Sequence, residues 1–562
     1  MTEATRNLLE QYFDTAFAAP GGIARLRELI LTLAMQGNLV EQDPKDPPAS
    51  ELLKEIEAEK KRLVKEGKIK KPKPLPEVAS GEKCCEIPKS WEWVRFGGIA
   101  QHNSGKTLDK GRNTGESRDY ITTSNLYWGS FELDNVRQML IRDDELEKCT
   151  AKKNDLLICE GGEAGRAAVW HFDTEVCFQN HIHRVRFYID IDPYFAYRFF
   201  EKLNATGKIN QHRKGVGISN MSSKALASIV FPLPPLPEQH RIVARIDQLM
   251  ARCDALEKLR KQREEKRLAV HAAAIRQLLH APEGSAWDFI GKHFGELYTV
   301  KENVAELRKA ILQLAVMGRL VPQDPKDPPA LELLKEIEAE KKRLVKEGKI
   351  KKPKPLPPIK PEEMPYDLPP GWEWVKFGKV TSNRLGKMLD KSKNRGNPKP
   401  YLRNTNVQWH QFVLDDVKEM KFEDGELHEF RVLPGDLLIC EGGEPGRCAI
   451  WRDSEIEIYF QKAVHRARPF SCVTSEYLEV CLTNDAGNGQ LAKYFTGATI
   501  KHFPGDKLKG YVIPLPPLPE QHRIVACIDQ LMALCDTLEQ QIEAAADKQT
   551  ELLNALMAQV EL

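Results

Sequence analysis

Apolar spacing divides the chain into stretches with helical periodicity and stretches of short apolar runs broken by Gly, Asp and Asn. After Pro237, the run HRIVARIDQLMARCDALEKL places Ile242, Ile246, Leu249, Cys253 and Leu256 at steps of four, three, four and three, the alternation of a heptad helix. Pro237 and Glu238 stand in its first turn, where a missing amide and a negative charge are both tolerated. The stripe returns as Ile524, Ile528, Leu531, Cys535, Leu538 and Ile542. Two matching stripes predict mutual pairing, Ile242, Ile246, Leu249 and Leu256 with Ile524, Ile528, Leu531 and Leu538. The ordinary alternative is a helix packed on its own domain.

A second helical family begins at Ala24 and again at Ala305, each closed by a Gly near its C-terminus. Asp46-Pro47-Pro48 then reads as the cap of a helix, ELLKEIEAEKKRLVKEG, with Glu and Lys three or four residues apart and mostly solvated. KIKKPKPLP follows as an extended basic linker. Beyond each linker, runs such as DLLIC and AAVW predict strands, with helices near Tyr194 and Tyr477. The expected fold class is α+β, two mixed domains joined by long coiled-coil helices in a pseudo-twofold duplication. The expected segments are 1–87 (helices and basic linker), 88–235 (first globular domain), 236–368 (central helices and linker), 369–517 (second globular domain) and 518–562 (terminal helix).

The duplication is explicit. Leu33 to Pro76 recurs almost unchanged from Leu314 to Pro357, Trp91-Glu92-Trp93 matches Trp372-Glu373-Trp374, and DLLICEGGEAGR from Asp155 matches DLLICEGGEPGR from Asp436. PLPPLPEQHRIVA occurs in full at Pro232 and at Pro514. Agreement is uneven, however. From Gly98 to about Gln138, and from His181 to Ser228, the copies share little beyond residues such as Gly105-Lys106 with Gly386-Lys387 and Tyr120 with Tyr401. Similar scaffolds with different surfaces are what a protein needs to read two different ligands.

Composition narrows the class. With 562 residues, 41% hydrophobic and 29% charged, the chain is too long for one core and has a globular balance. Its 83 basic and 81 acidic residues leave a net charge of +2, so any nucleic-acid contact must be concentrated locally. The 12 cysteines form no CxxC pair and suggest reduced thiols in a cytoplasmic protein. An apolar signal region and a run of the roughly 18 residues needed to span a bilayer are both lacking.

Two variable domains, each ending in PLPPLPEQ (Pro232 to Gln239, Pro514 to Gln521) and a heptad helix, resemble the specificity subunit of type I restriction-modification systems. The turns Asn154-Asp155-Leu156-Leu157 and Gly435-Asp436-Leu437-Leu438 are similar to that family's target-recognition domains, as are Gly217 and Gly497 leading into the motif. The resemblance implies a non-catalytic DNA-binding protein whose two domains each read half of an asymmetric bipartite site. It implies helices that set the spacer and dock two modification subunits, which bind S-adenosylmethionine and methylate adenine. Restriction subunits using ATP and Mg would join them. No cofactor or metal is expected in this chain, and no membrane.

Base reading needs Arg or Lys for guanine and Asn or Gln for adenine, with further basic groups on phosphates. The divergent parts offer Lys106, Lys110, Arg112, Arg118, Asn125, Tyr127, Arg213 and Lys214 in the first domain. In the second they offer Lys387, Lys391, Lys393, Arg395, Arg403, Asn404, Asn406 and Lys501. Glu160-Gly161-Gly162-Glu163-Ala164-Gly165 reads as a hairpin turn, since it is not GxGxxG and its carboxylates repel phosphate. His181, His183 and His465 lack ligand-spaced partners and read as structural. The rival is a self-contained bivalent DNA nuclease or methyltransferase, with Asp155, Glu160 and Glu163 around a divalent metal. A protein-binding scaffold indifferent to DNA sequence is the third reading.

Overall fold

A computed structural model describes residues 3–109, 111–214, 219–280, 285–390 and 392–561. It forms two compact units, Met1–Arg263 with Ala544–Leu562, and Glu264–Glu543. The divisions thus fall inside the long helices Leu236–His280 and Leu518–Glu561, away from the edges of the globular domains. Among the described residues no helix is long and apolar enough to cross a membrane.

In the first unit, helices Glu3–Phe17, Gly22–Met35 and Ala49–Lys65 precede the globular part. The third buries only Ala49 and Ile56, as its Glu/Lys pattern predicts, and the linker beyond it carries no regular structure. Strand Glu92–Arg95 pairs antiparallel with Val230–Leu233, so the domain is entered and left at one place. Its main sheet runs Ala167–Val169, Leu156–Cys159, Ile182–Phe187, Ala100–Ser104, all antiparallel. A second sheet contains Arg137–Ile141, Glu116–Ile121, Val176–Phe178 and Thr150–Ala151, with one parallel pair. The second unit repeats the main sheet as Cys448–Ile450, Leu437–Cys440, Val464–Pro469, Thr381–Leu385. Its second sheet has three strands.

The retained motifs form a clamp. Glu238 is buried and accepts hydrogen bonds from Trp91 Nε1 (2.9 Å) and Gln42 Nε2 (2.5 Å), while Arg241 Nη2 donates to Asp46 at 2.7 Å. Gln239 accepts from the Asp192 amide at 3.0 Å and donates to Pro234 O at 2.8 Å. In the second unit Glu520 accepts from Trp372 (2.9 Å) and Gln323 (2.7 Å), and Arg523 donates to Asp327 (2.6 Å). The helix start, the first strand and the Gln-Asp-Pro loop are thereby tied together, because a buried carboxylate must find donors. Burial raises the carboxyl pKa of Glu238 and of Glu520. Asp46 therefore serves Arg241 and does not cap the following helix, whose N-cap position is Pro48 without a side-chain hydrogen bond.

The heptad stripes require a further correction. Ile242, Ile246, Leu249, Cys253 and Leu256 share a core with Ile23, Leu26 and Ile30 of the first unit. Ile524, Ile528, Leu531, Cys535, Leu538 and Ile542 share one with Val304, Leu307, Ile311 and Leu314 of the second. Pairing at these positions is satisfied inside each unit, because the helix ahead of each domain brings its own apolar face. Arg27 fixes one such pair through Asp254 (2.6 Å) and Glu257 (2.8 Å), and Arg308 fixes the other through Asp536 (2.7 Å) and Glu539 (3.1 Å). The far end of the last helix, Leu553, Leu556, Met557 and Val560, closes on Leu9, Ala16, Phe17 and Leu29. Ala274, Ile275 and Leu278 take the same role beside Ala286, Ile290 and Leu297.

Candidate nucleic-acid interface

Three segments meet at the Gly-rich turn of each globular domain. In the first unit, Glu160 to Arg166 form the turn between antiparallel strands Leu156–Cys159 and Ala167–Val169, so the Gly-rich segment is a hairpin turn, as expected. Gly161–Gly162 pairs with Ser219–Asn220, and Arg213 Nε donates to Ala164 O at 2.7 Å. A small ribbon, Leu126–Tyr127 against Ser130–Phe131, lies against the same turn. In the second unit Val407–Gln408 pairs with Gln411–Phe412, and Asn404 Nδ2 donates to Gly442 O at 3.1 Å.

The ribbon is pinned by the same groups in both copies. Trp128 Nε1 donates to Glu163 Oε1 at 2.8 Å, Arg166 Nη1 donates to Glu163 Oε2 at 3.1 Å, and Arg166 Nη2 donates to Thr123 O at 2.6 Å. Their counterparts are Trp409 to Glu444 (2.8 Å), Arg447 to Glu444 (2.9 Å) and Arg447 to Asn404 O (2.8 Å). Below the ribbon, Phe131 meets Trp170 edge-on at 4.9 Å between centroids, and Phe412 meets Trp451 at 5.0 Å. None of Trp128, Arg166, Trp409 and Arg447 was singled out from sequence. The signal was available, in a Trp and an E-x-G-R retained within otherwise divergent or turn-like surroundings.

The predicted contact residues sort into three groups. Asn125 and Asn406 are corrected: both are buried, at 5% and 2% exposure, and hydrogen-bonded within the ribbon. Asn125 Oδ1 accepts from the Thr122 amide at 2.9 Å and Nδ2 donates to Glu132 O at 2.9 Å; Asn406 does the same with Arg403 N (3.0 Å) and Val413 O (2.9 Å). Lys106 and Lys387 are held by Glu145 and Glu426 in matching ion pairs, so their ammonium groups brace the fold. Arg118 pairs with Glu116 at 2.7 Å, Arg403 with Asp416 at 2.7 Å, and Arg213 and Asn404 bond the glycine turn. Tyr127, Arg112, Lys214, Lys393, Arg395 and Lys501 are exposed. Lys110 and Lys391 lie outside the described residues, as does Gly217.

Two of the three carboxylates invoked for metal chemistry, Asp155 and Glu163, are engaged in internal hydrogen bonds. Asp155 takes a bidentate pair from Arg186 (Nε 2.8 Å, Nη2 2.6 Å) and the Lys152 amide at 2.7 Å. Asp436 repeats this with Arg468 (2.6 and 2.8 Å) and the Leu433 amide (2.7 Å). Glu163 orients Trp128 and Arg166. His183 and His465 are buried on the main sheet, Nε2 facing Met221 O at 2.9 Å and Phe503 O at 2.8 Å. Among the described residues no group of three or more His, Cys, Asp or Glu is placed to hold a metal ion. Buried Arg184 and Arg466 donate to main-chain carbonyls, and desolvation lowers each guanidinium to about 10.

Comparison with known proteins identifies the family. The family described as type I restriction modification DNA specificity domain matches twice, over residues 88–265 and 369–548. The EcoAI specificity subunit of Escherichia coli is 33% identical over 95% of this chain and 93% of its own length. The EcoEI specificity subunit of Escherichia coli is 31% identical with the same coverages. A crystal structure of the HsdS subunit from Thermoanaerobacter tengcongensis aligns over 84% of this chain and 98% of its own, at 17% identity and a TM-score of 0.44. Two copies of one DNA-specificity framework, spanning most of the length and carrying different outward residues, place this chain in the family of type I restriction-modification specificity subunits.

Proposed function

We propose that this chain chooses the DNA sequence on which a type I restriction-modification complex acts, and that it carries no chemistry of its own. The domains over 88–235 and 369–517 each read one half of an asymmetric split site, and the long helices set the spacer. Two modification subunits, binding S-adenosylmethionine and methylating adenine, dock on the helical parts, and ATP-using restriction subunits join them in the cytoplasm. The exposed basic residues Arg112, Lys214, Lys393, Arg395 and Lys501 supply phosphate contacts, which position without specifying. The observation that carries this reading is the pairing of one pinned framework with two different outward faces at the same end of each domain. Three observations weigh against a self-contained nuclease: Asp155 is closed by Arg186, Glu163 is closed by Trp128 and Arg166, and the outward faces are unlike.

Co-expression of the full chain with its modification partner, followed by genome-wide mapping of methylated adenines, tests it. A motif with two specified halves around a fixed gap is expected, and replacing Pro88 to Pro235 by another family member's segment changes one half only. Methylation or cleavage by the isolated chain, or a continuous motif, refutes it.

A further inference from the structure

The ribbon at the end of each domain has two faces with opposite behaviour between copies. Strand alternation sends Leu126 and Phe131, and Val407 and Phe412, inward, where the copies agree in character. The outward pair differs completely. Tyr127 stands directly opposite Ser130 in the first unit, and Gln408 stands opposite Gln411 in the second. Tyr127 is 44% exposed, and Ser130 and Gln411 are exposed.

Around these pairs everything that fixes the backbone is repeated: the Asn bridge of Asn125 and Asn406, and the Trp–Glu–Arg relay of Trp128, Glu163 and Arg166 with its twin. A two-stranded ribbon fits the major groove, and a preorganised one delivers its side chains without an ordering cost. Gln408 Nε2 donates to Thr405 O at 2.9 Å, an exposed local hydrogen bond that a base edge can replace. Arg166 lies 5.3 Å from the Tyr127 ring and holds that ring from below.

We propose that this outward pair is a specificity-determining element, Tyr127 with Ser130 reading one half-site and Gln408 with Gln411 the other. The proposal rests on the DNA-reading function given above and adds the residues that make the two halves differ. Gln408 and Gln411 present two carboxamides side by side, each able to accept from N6 and donate to N7 of adenine. The second half-site therefore contains adenine where this ribbon enters. The Tyr–Ser pair offers an aromatic face and hydroxyls and takes a different base at its corresponding place.

The full chain co-expressed with its modification partner is the test material, in three forms: wild type, Tyr127→Gln with Ser130→Gln, and Gln408→Ala with Gln411→Ala. The first double variant changes the preferred base at one or two positions of a single half-site, by roughly tenfold to a hundredfold in relative methylation. The second relaxes an adenine in the other half by a similar factor. Gap length and the untouched half stay constant. An unchanged motif in both variants overturns the proposal, and so does a uniform loss of methylation at every site with the motif intact, which is the mark of a phosphate contact. Tyr127, Ser130 and Gln411 are exposed and Gln408 is half-buried, and matching wild-type melting curves verify that both variants fold. If the wild-type complex itself yields no split motif, the functional reading fails first, which separates the two failures.

Discussion

Replacing Asp155 by Asn distinguishes a structural carboxylate from a catalytic one. The residue is 2% exposed and accepts three hydrogen bonds, two from Arg186 and one from the Lys152 amide. Asn preserves the shape but removes the charge and turns one acceptor into a donor facing donors. Breaking a buried ion pair costs about 3–5 kcal/mol. Arg186 keeps 29% of its side chain exposed and can rehydrate, which brings the expected loss to about 2–3 kcal/mol. For a unit of this size that lowers the melting midpoint by about 3–5 °C. At Asp436 the partner Arg468 is 38% exposed, so Asp436→Asn costs less, about 1–2 kcal/mol. Calorimetry with hydrogen exchange on strands Leu156–Cys159 and Leu437–Cys440 reads each unit separately. A specific methylation motif that persists below the lowered midpoint completes the expectation. An unshifted midpoint accompanied by lost activity would refute the reasoning and return Asp155 to a metal-binding role.

Gly37 sits at φ +73°, and an added Cβ would lie 2.4 Å from Pro88 Cγ and 3.3 Å from Trp91, so Gly37→Ala costs about 2–4 kcal/mol in urea denaturation. Gly67, at φ +71° with nothing within 4 Å of the added atom, is the control, and Gly67→Ala costs only the backbone share of about 1–2 kcal/mol. The His410 Nδ1 lies 3.2 Å from the Glu479 carboxylate, which holds the imidazole above its ordinary 6.5, so NMR finds it gaining its proton at higher pH than a free histidine, and Glu479→Gln moves the titration back down. Its contribution to stability is complete below pH 6.5 and disappears as pH rises through the folded value, so the Glu479→Gln variant flattens that slope.

Most of the architecture was readable in the chain because it is written twice. Near-identity of the PLPPLPEQHR, Trp-Glu-Trp and Gln-Asp-Pro segments marked the scaffold, and the clamp around Glu238 and Glu520 gives the physical reason for it: each of those residues completes another's hydrogen bonds. The departure of Asn154 from Gly435 is resolved in the same way. Both occupy left-handed backbone, φ 71° and 88°, which Asn tolerates better than other side chains. Partner choice for the heptad stripes was not readable, since a 3-4 spacing states that a helix has an apolar seam and not which helix covers it. Nor was the fate of Asn125 and Asn406. Asn is equally suited to reading adenine and to bridging a tight turn, and only burial separates the two uses.

That separation explains how such a protein changes target without losing its fold. Every group that stabilises the ribbon points inward or sideways: Asn125 to the backbone, Phe131 to Trp170, Trp128 and Arg166 to Glu163. The outward positions carry almost none of the fold's energy, and exposed substitutions of this kind usually alter stability by less than about 0.5 kcal/mol. Binding to a base pair, by contrast, responds to the same side chains by about 1–3 kcal/mol. A surface for which recognition is several times more sensitive than folding can diverge freely between copies. A clamp in which each residue satisfies another's buried polar group cannot, and Gln42, Trp91, Glu238 and Arg241 are all present again as Gln323, Trp372, Glu520 and Arg523.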